Sequence, residues 1–308
     1  MKDFSVIVLC YNSEEKALKK TINSILCQED VDYEIIIADD ASKNDCVSVA
    51  KQYLSEMNHN SYKVLEHKEN VGTVQNIYDS LEISEGRFVK CIGAGDLLFD
   101  KHTLRKVLNF MTKEKCTMCF GKMQAYNYQG EKLNLITLTV PLDIASFYRN
   151  NTNKIRKNII RNHGWIAGAS MFYDTKEFYS LLEQLIGTVR YCEDLLQVNL
   201  LIQNKKISFF PHGVVYYEVG SGISTNNANG NNNRVKNDHD KYWKMLVNRY
   251  SDNKLIQKGN IMNKLIYIPD FSKKLFSMII KNPSYLLMCI KTKFQNKLYI
   301  INEKGMLN

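Results

Sequence analysis

Two short apolar runs near the start of the chain, residues 5–13 (SVIVLCYNS) and 34–42 (EIIIADDAS), each break off into a polar cluster. Unbroken Val, Ile and Leu without alternation predicts strands buried on both faces, as in a parallel sheet covered by helices. Between and after these runs the apolar positions switch to helical spacing, first Leu18, Ile22, Ile25 and Leu26, then Val47, Ala50, Tyr53 and Leu54. Asn12 with Glu15 has the form of a capping box for the first of these helices. A third strand is expected at 63–66, followed by a helix bearing Val74, Ile77, Tyr78 and Leu81. A fourth is expected at 88–92, with a helix marked by Leu104, Val107, Leu108 and Met111. Such alternation predicts right-handed crossovers and an α/β fold with a mostly parallel sheet.

After residue 115 the pattern is mixed. Segments 117–120 and 123–128 read as strands with a turn near Gln129-Gly130, and 207–210 and 213–217 as two more. Helical spacing recurs around 153–161, 175–186 and 194–203. Residues 226–233 (NNANGNNN) are a low-complexity polar run, expected as a flexible loop. They divide a catalytic unit, 1–225, from a helical C-terminal region, 234–308. From residue 271 to 302 there is no acidic side chain, while six lysines alternate with Leu, Ile, Phe and Met. A basic amphipathic segment of this kind suits either an anionic membrane surface or packing on the catalytic unit.

Composition narrows the class. A chain of 308 residues can bury one large core with an appendage. A net charge of +9 favours anionic partners such as a nucleotide or phospholipid. It would also admit nucleic acid, but no nucleic-acid-binding motif is present. Eight cysteines over this length do not form a secreted disulfide framework, and reduced thiols in a cytoplasmic protein are expected. The chain enters a strand directly after Lys2 and Asp3, which predicts no signal peptide, and no apolar run reaches the roughly 20 residues of a membrane span.

The chemistry sits where the strands end. Tyr11 and Asn12 close the first run, Asp39 and Asp40 the second. Ligands of open α/β sheets lie at the carboxyl ends of the strands, so these residues predict a nucleotide site. One of the two aspartates is accounted for by an ordinary Asx-turn or helix cap. With the later segments ENVGTVQN, GAGDLL and CEDLL, the order of motifs resembles the family 2 inverting glycosyltransferases of the GT-A fold, in the style of bacterial capsule and lipopolysaccharide enzymes. The likeness covers roughly residues 4–225. It implies a Rossmann-like domain that moves a hexosyl or N-acetylhexosaminyl group from a nucleotide-sugar, with UDP expected, to a glycan or lipid-linked acceptor.

The resemblance also implies roles. Asp40 contacts the uracil, Tyr11 packs on it, and Asp39 and Asn12 support the pocket, while Asn70, Gly72 and Asn76 belong to a segment closing over the nucleotide. Asp96 holds Mn²⁺ or Mg²⁺, with Gly95 beside it; Gly93 and Gly95 stand where relatives carry further acids. A single carboxylate leaves most ligands of the ion to diphosphate oxygens and water. Asp194 takes the acceptor proton as general base, supported by Glu193; two acids in the first turn of a helix are otherwise explained by its macrodipole. His163 and Trp165 could stack an acceptor sugar, although an indole at the edge of a core is equally compatible. Residues 221–225 could form a lid. Cys116 and Cys119 have CxxC spacing without a second pair, which reads as packing, and His212 beside a strand reads as structural. Two other classes share parts of this pattern. A sugar nucleotidyltransferase would need a Gly-rich basic loop where CYNSEEK stands, and an inactive carbohydrate-binding relative would suit the missing acids.

Overall fold

The computed structural model describes residues 1–220 and 231–307. Strands β1 (Lys2–Cys10), β2 (Tyr33–Asp39), β3 (Tyr62–Glu66) and β4 (Gly86–Gly93) are parallel, in the order β3-β2-β1-β4. Each is followed by a helix: α1 (Glu15–Leu26), α2 (Cys46–Glu56), α3 (Thr73–Glu82) and α4 (Thr103–Glu114). Successive strand residues serve opposite faces, as the pleat requires. Val6, Val8, Ile35 and Ile37 pack with Leu18, Ile22, Leu54, Leu104 and Val107 of α1, α2 and α4. Ile7, Ile36 and Val89 pack on the other face with Val74 and Ile77 of α3 and with helices of the second half.

The sheet continues β4-β8-β6-β9-β5, with β7 pairing the C-terminal half of β6. These strands are β5 (Leu97–Leu98), β6 (Met118–Gln129), β7 (Lys132–Thr137), β8 (Met171–Asp174) and β9 (Ile207–Glu218). Two expectations are corrected here. Segments 117–120 and 123–128 are one strand, β6, and 207–210 and 213–217 are one strand, β9. The register between them slips, from Phe120 opposite Phe209 to Lys122 opposite Gly213. That irregularity absorbs Pro211, which has no N–H to give to a ladder. Helices α5 (Ile144–Tyr148), α6 (Thr152–Asn162), α7 (Thr175–Glu183) and α8 (Leu196–Ile202) cover this half, with a 3₁₀ turn at Glu193–Leu195 leading into α8.

The C-terminal region is helical: α9 (Asn231–Arg249), α10 (Lys254–Ile266), α11 (Phe271–Lys281) and α12 (Pro283–Phe294). Of the Asn-rich run, 226–230 lie outside the described residues and 231–233 already belong to α9. Tyr242 and Trp243 of α9 and Ile256 of α10 are fully buried in the main core, so these helices are part of the domain body. The last residues return to the sheet, where Met306 N donates to Phe99 O at 2.8 Å. Among the described residues no helix is long and apolar enough to cross a membrane.

Candidate donor and catalytic site

The register Cys10 opposite Asp39 and Leu9 opposite Gly93 brings the carboxyl ends of β1, β2 and β4 to one level. Tyr11 stands on this rim, half exposed. Asn12 does not cap α1. It adopts a left-handed conformation (φ 51°) and ties two loops together: its N–H donates to Ser42 Oγ at 2.8 Å, and its Oδ1 accepts from Lys43 N at 2.7 Å. The expected capping box is therefore replaced by a loop-to-loop clasp, and Glu14 occupies the N-cap without a side-chain bond. Asp39 is committed to its own turn, accepting from Ser42 N at 2.9 Å and Ser42 Oγ at 2.5 Å. This is the Asx-turn reading of the first aspartate.

Asp40 reaches across to the segment before α3, accepting from Val71 N at 2.6 Å and Gly72 N at 3.0 Å. Burial raises its pKa, while those amides, His67 and Arg190 oppose the shift. An ionised carboxylate offers about four acceptor sites, so a further N–H can still be received. Asn70 Nδ2 donates to Asp40 O at 3.3 Å, and Arg190 Nη2 donates to Asn70 Oδ1 at 3.0 Å. Gly72 is held at φ 89° with the Arg190 side chain lying where a Cβ would project. Asn76 lies beneath the rim, 2% exposed, donating to Ala38 O at 3.0 Å. Its place is therefore behind the pocket, anchoring α3, and not among groups that touch a nucleotide.

Asp96 follows β4 in a turn pinned by Thr21, whose Oγ1 accepts from Gly95 N at 2.9 Å and donates to Asp96 O at 2.8 Å. Its Oδ1 accepts from Glu218 N at 3.0 Å. Burial pushes its carboxyl up to about 7, opposed by that N–H and by Lys90 and reinforced by Glu218. Among the described residues, a Cβ at Gly93 would meet only Asp96 Oδ2, at 3.8 Å, which leaves room beside that oxygen as far as those residues go. At Gly95 (φ 107°) the equivalent space is filled by the Glu218 carboxylate, and the Gly95 carbonyl accepts from the buried Tyr126 hydroxyl. Among the described residues no three His, Cys, Asp or Glu side chains gather into a metal cluster. A buried carboxylate with room at its second oxygen fits a divalent ion whose other ligands come with a diphosphate.

Glu193 and Asp194 open the 3₁₀ turn before α8, against Gly168, where a Cβ would stand 2.7 Å from Glu193 Oε1. Burial raises both carboxyls, and for Glu193 repulsion from Asp194 adds to it. Behind them lies a lysine that interrupts the apolar strand β4. Lys90 is completely buried, and its Nζ donates to Ala169 O at 2.5 Å and, more weakly, to Met171 O at 3.4 Å. Burial lowers its pKa to about 8, while Asp96 and Glu193 pull it upward. One ammonium thus feels both Asp96 and Glu193.

Three residues of this site escaped sequence reasoning: Lys90, Arg190 and Glu218. Lys90 carried a usable signal, a charge inside the run FVKCI. Other expectations fall elsewhere. His163 is sandwiched between Trp165 (ring centroids 4.4 Å apart) and Trp243 (4.9 Å), and its Nε2 meets Gly259 O at 3.0 Å. Neither face of its ring is open to a sugar, which corrects its expected platform role. Trp165 also meets His239 edge-on and donates Nε1–H to Ile159 O, so it belongs to the same packing joint. Residues 221–225 lie outside the described residues. His212 pairs with Glu303 at 2.8 Å, away from the rim, and Cys116 and Cys119 are buried free thiols.

Comparison with known proteins agrees with this fold. A solved structure of Staphylococcus aureus TarS, residues 1–349 with UDP-GlcNAc, superposes with a TM-score of 0.58 over 97% of this chain and 82% of that one, at 18% identity. A mannosyltransferase of Pyrobaculum calidifontis, solved with GDP-Man and Mn²⁺, gives the same score at 13% identity, over 97% and 84% of the two chains. These likenesses establish the GT-A fold. In sequence, a glycosyltransferase of Bacillus subtilis assigned to teichuronic acid biosynthesis, TuaG, is 31% identical over 132 residues, 42% of this chain and 50% of its own. A poly(ribitol-phosphate) beta-glucosyltransferase of Bacillus spizizenii is 26% identical over 143 residues, 44% of this chain and 22% of its own. The match thus spans half or less of the length of these relatives. The family model for glycosyl transferase family 2 matches residues 5–176, more than half of the chain, and the protein belongs to that family of glycosyltransferases.

Proposed function

We propose that the protein is an inverting transferase that moves a sugar from UDP to a hydroxyl of a glycan or lipid-linked acceptor in cell-surface polysaccharide synthesis. The observation that carries this reading is that the ends of β1, β2 and β4 bring the Asp40 loop and the turn of Asp96 to one rim, while the buried Lys90 of β4 feels both Asp96 and Glu193. The UDP-GlcNAc complex of TarS and the names of TuaG and the poly(ribitol-phosphate) enzyme support the donor and the biological setting.

In this account Tyr11 packs on the uracil, and a remaining lone pair of Asp40 accepts its imide N–H. Arg190 sits at the same loop, exposed and positive, near the diphosphate. Asp96 would hold Mn²⁺ or Mg²⁺, which when bound offsets the charge gathering on the departing diphosphate. Asp194 accepts the proton of the acceptor hydroxyl as its oxygen attacks the anomeric carbon. The new C–O bond forms opposite the breaking bond to phosphate, so configuration inverts in one displacement. Glu193 and Lys90 shape the field around this base. A transfer assay with product stereochemistry read by NMR is expected to show the anomeric configuration opposite to the donor's; a retained configuration would rule out the single displacement.

The same proposal includes contact with an anionic membrane surface, which suits a lipid-linked acceptor. Helices α11 and α12 leave large apolar side chains in solvent, with Phe276 66%, Ile280 62% and Phe294 87% exposed, among lysines and no acids. Apolar groups at that exposure on basic helices match the chemistry of an interfacial segment.

A further inference from the structure

The acid pair sits on a stretch of chain, 190–195, in which only Glu193–Leu195 is regular, as a 3₁₀ turn. Main-chain groups without a ladder must find partners elsewhere, and here they find them on α9. Asp238 of that helix is 2% exposed and accepts from Arg190 N at 3.1 Å and Tyr191 N at 2.6 Å, both on Oδ2. Four residues on, and so on the same helix face, the Tyr242 hydroxyl shares its proton between Leu195 O, at 3.1 Å, and Asn199 Oδ1. Glu193 and Asp194 thus lie between two points fixed by one helix. Burial raises the pKa of the Cys192 thiol, and Asp194, Asp238 and Glu193 add to the shift, so one neutral thiol feels Asp238 and the acid pair together. The segment also reaches the donor loop through Arg190. Its carbonyl accepts from Val74 N at 3.0 Å, its Nη2 donates to Asn70 Oδ1 at 3.0 Å, and its side chain fills the place of a Cβ at Gly72.

We propose that Asp238 is a positioning residue for the transfer: by binding the main chain of Arg190 and Tyr191 it sets the Asp40 loop on one side and Asp194 on the other, holding donor pocket and base in one register. This rests on the reading of the Asp40 loop as donor site and of Asp194 as base. A carboxylate so deeply buried needs hydrogen-bond donors, and Asp238 receives two from this one segment. Both arrive at a single oxygen, so the requirement is an acceptor at that point and not a negative charge. Asp238 lies beyond residues 5–176, which the family model covers, so the C-terminal helical region supplies a working part of the site.

The test combines amide hydrogen exchange across 190–195, read by mass spectrometry, with UDP titration by calorimetry and kcat for a UDP-sugar. Asp238→Ala is expected to speed exchange in that segment, to weaken UDP binding and to lower kcat by about tenfold to a hundredfold. Asp238→Asn can place its amide oxygen where Oδ2 stands and is expected to recover most of all three. Ile256→Ala, which removes a buried side chain of α10, is the control: a lower Tm with wild-type UDP binding and kcat. Unchanged exchange at 190–195 in Asp238→Ala would overturn the proposal. So would a loosened segment with wild-type UDP binding and kcat, or an equal loss of both in Ile256→Ala. A wild-type protein that binds no UDP would instead overturn the donor reading, and the exchange measurement still decides whether Asp238 holds the segment of the acid pair.

Discussion

At the scale of single residues, Asp194 carries the sharpest consequence. Removing a general base typically costs about 10²–10⁴ in rate, so Asp194→Asn is expected to lose turnover by that order while binding UDP as the wild type does. Full turnover with normal donor binding would reassign the base. The acid pair also sets a pH dependence. Burial raises both carboxyls, and repulsion from Asp194 raises Glu193 further, so protons stay on to higher pH than on free side chains. A proton on the base blocks catalysis, and kcat should therefore fall with falling pH through a midpoint above the ordinary carboxylate range; a rate flat down to pH 5 would contradict this. Stability runs the other way. The native state binds the proton more tightly than the unfolded chain, so stability declines as pH rises from the unfolded pKa, about 4, through the raised native one. Glu193→Gln removes that penalty and is expected to raise Tm at pH 8 more than at pH 4.5, read by calorimetry at both values.

At the scale of elements, the proposed donor pocket depends on the geometry of the loop between β3 and α3. Gly72→Ala forces a side chain into a positive φ and into Arg190, a strain on the order of 1–3 kcal/mol. Weaker UDP binding and a lower Tm are the expected result; an unchanged titration would mean the loop does not touch the nucleotide. Elements of this half were legible in the sequence because their signal is local. Ile35, Ile36 and Ile37 are contiguous, and Leu18, Ile22 and Ile25 repeat at helical spacing. The later half was less so. Gly121 and Pro211 look like breaks, yet β6 and β9 pass through them because a register slip on one strand accommodates the other. β8 is only four residues long and gains its identity from being wedged between β4 and β6. The site divides the same way. Asp40, Asp96 and Asp194 stand at strand or helix ends and can be read in order. Arg190 and Glu218 matter through partners about 120 positions away in sequence, Asn70 for one and Asp96 for the other, which no local pattern encodes.

At the scale of the whole molecule, the C-terminal helices have two duties. α9 and α10 complete the core through Tyr242, Trp243 and Ile256, whereas α11 and α12 turn apolar and basic side chains outward. Co-sedimentation with anionic vesicles at low salt is expected for the intact protein and should be lost in Phe276→Glu/Ile280→Glu with the Tm retained; equal pelleting of both proteins would remove the membrane from the account. The central claim, that the strand rim is a UDP-sugar site, is tested most directly by thermal stabilisation across a panel of nucleotides with Mn²⁺. UDP and at least one UDP-sugar are expected to raise Tm clearly above the GDP control, and Asp40→Ala should abolish the difference. No shift with any uridine nucleotide, or the same shift in Asp40→Ala, would contradict it.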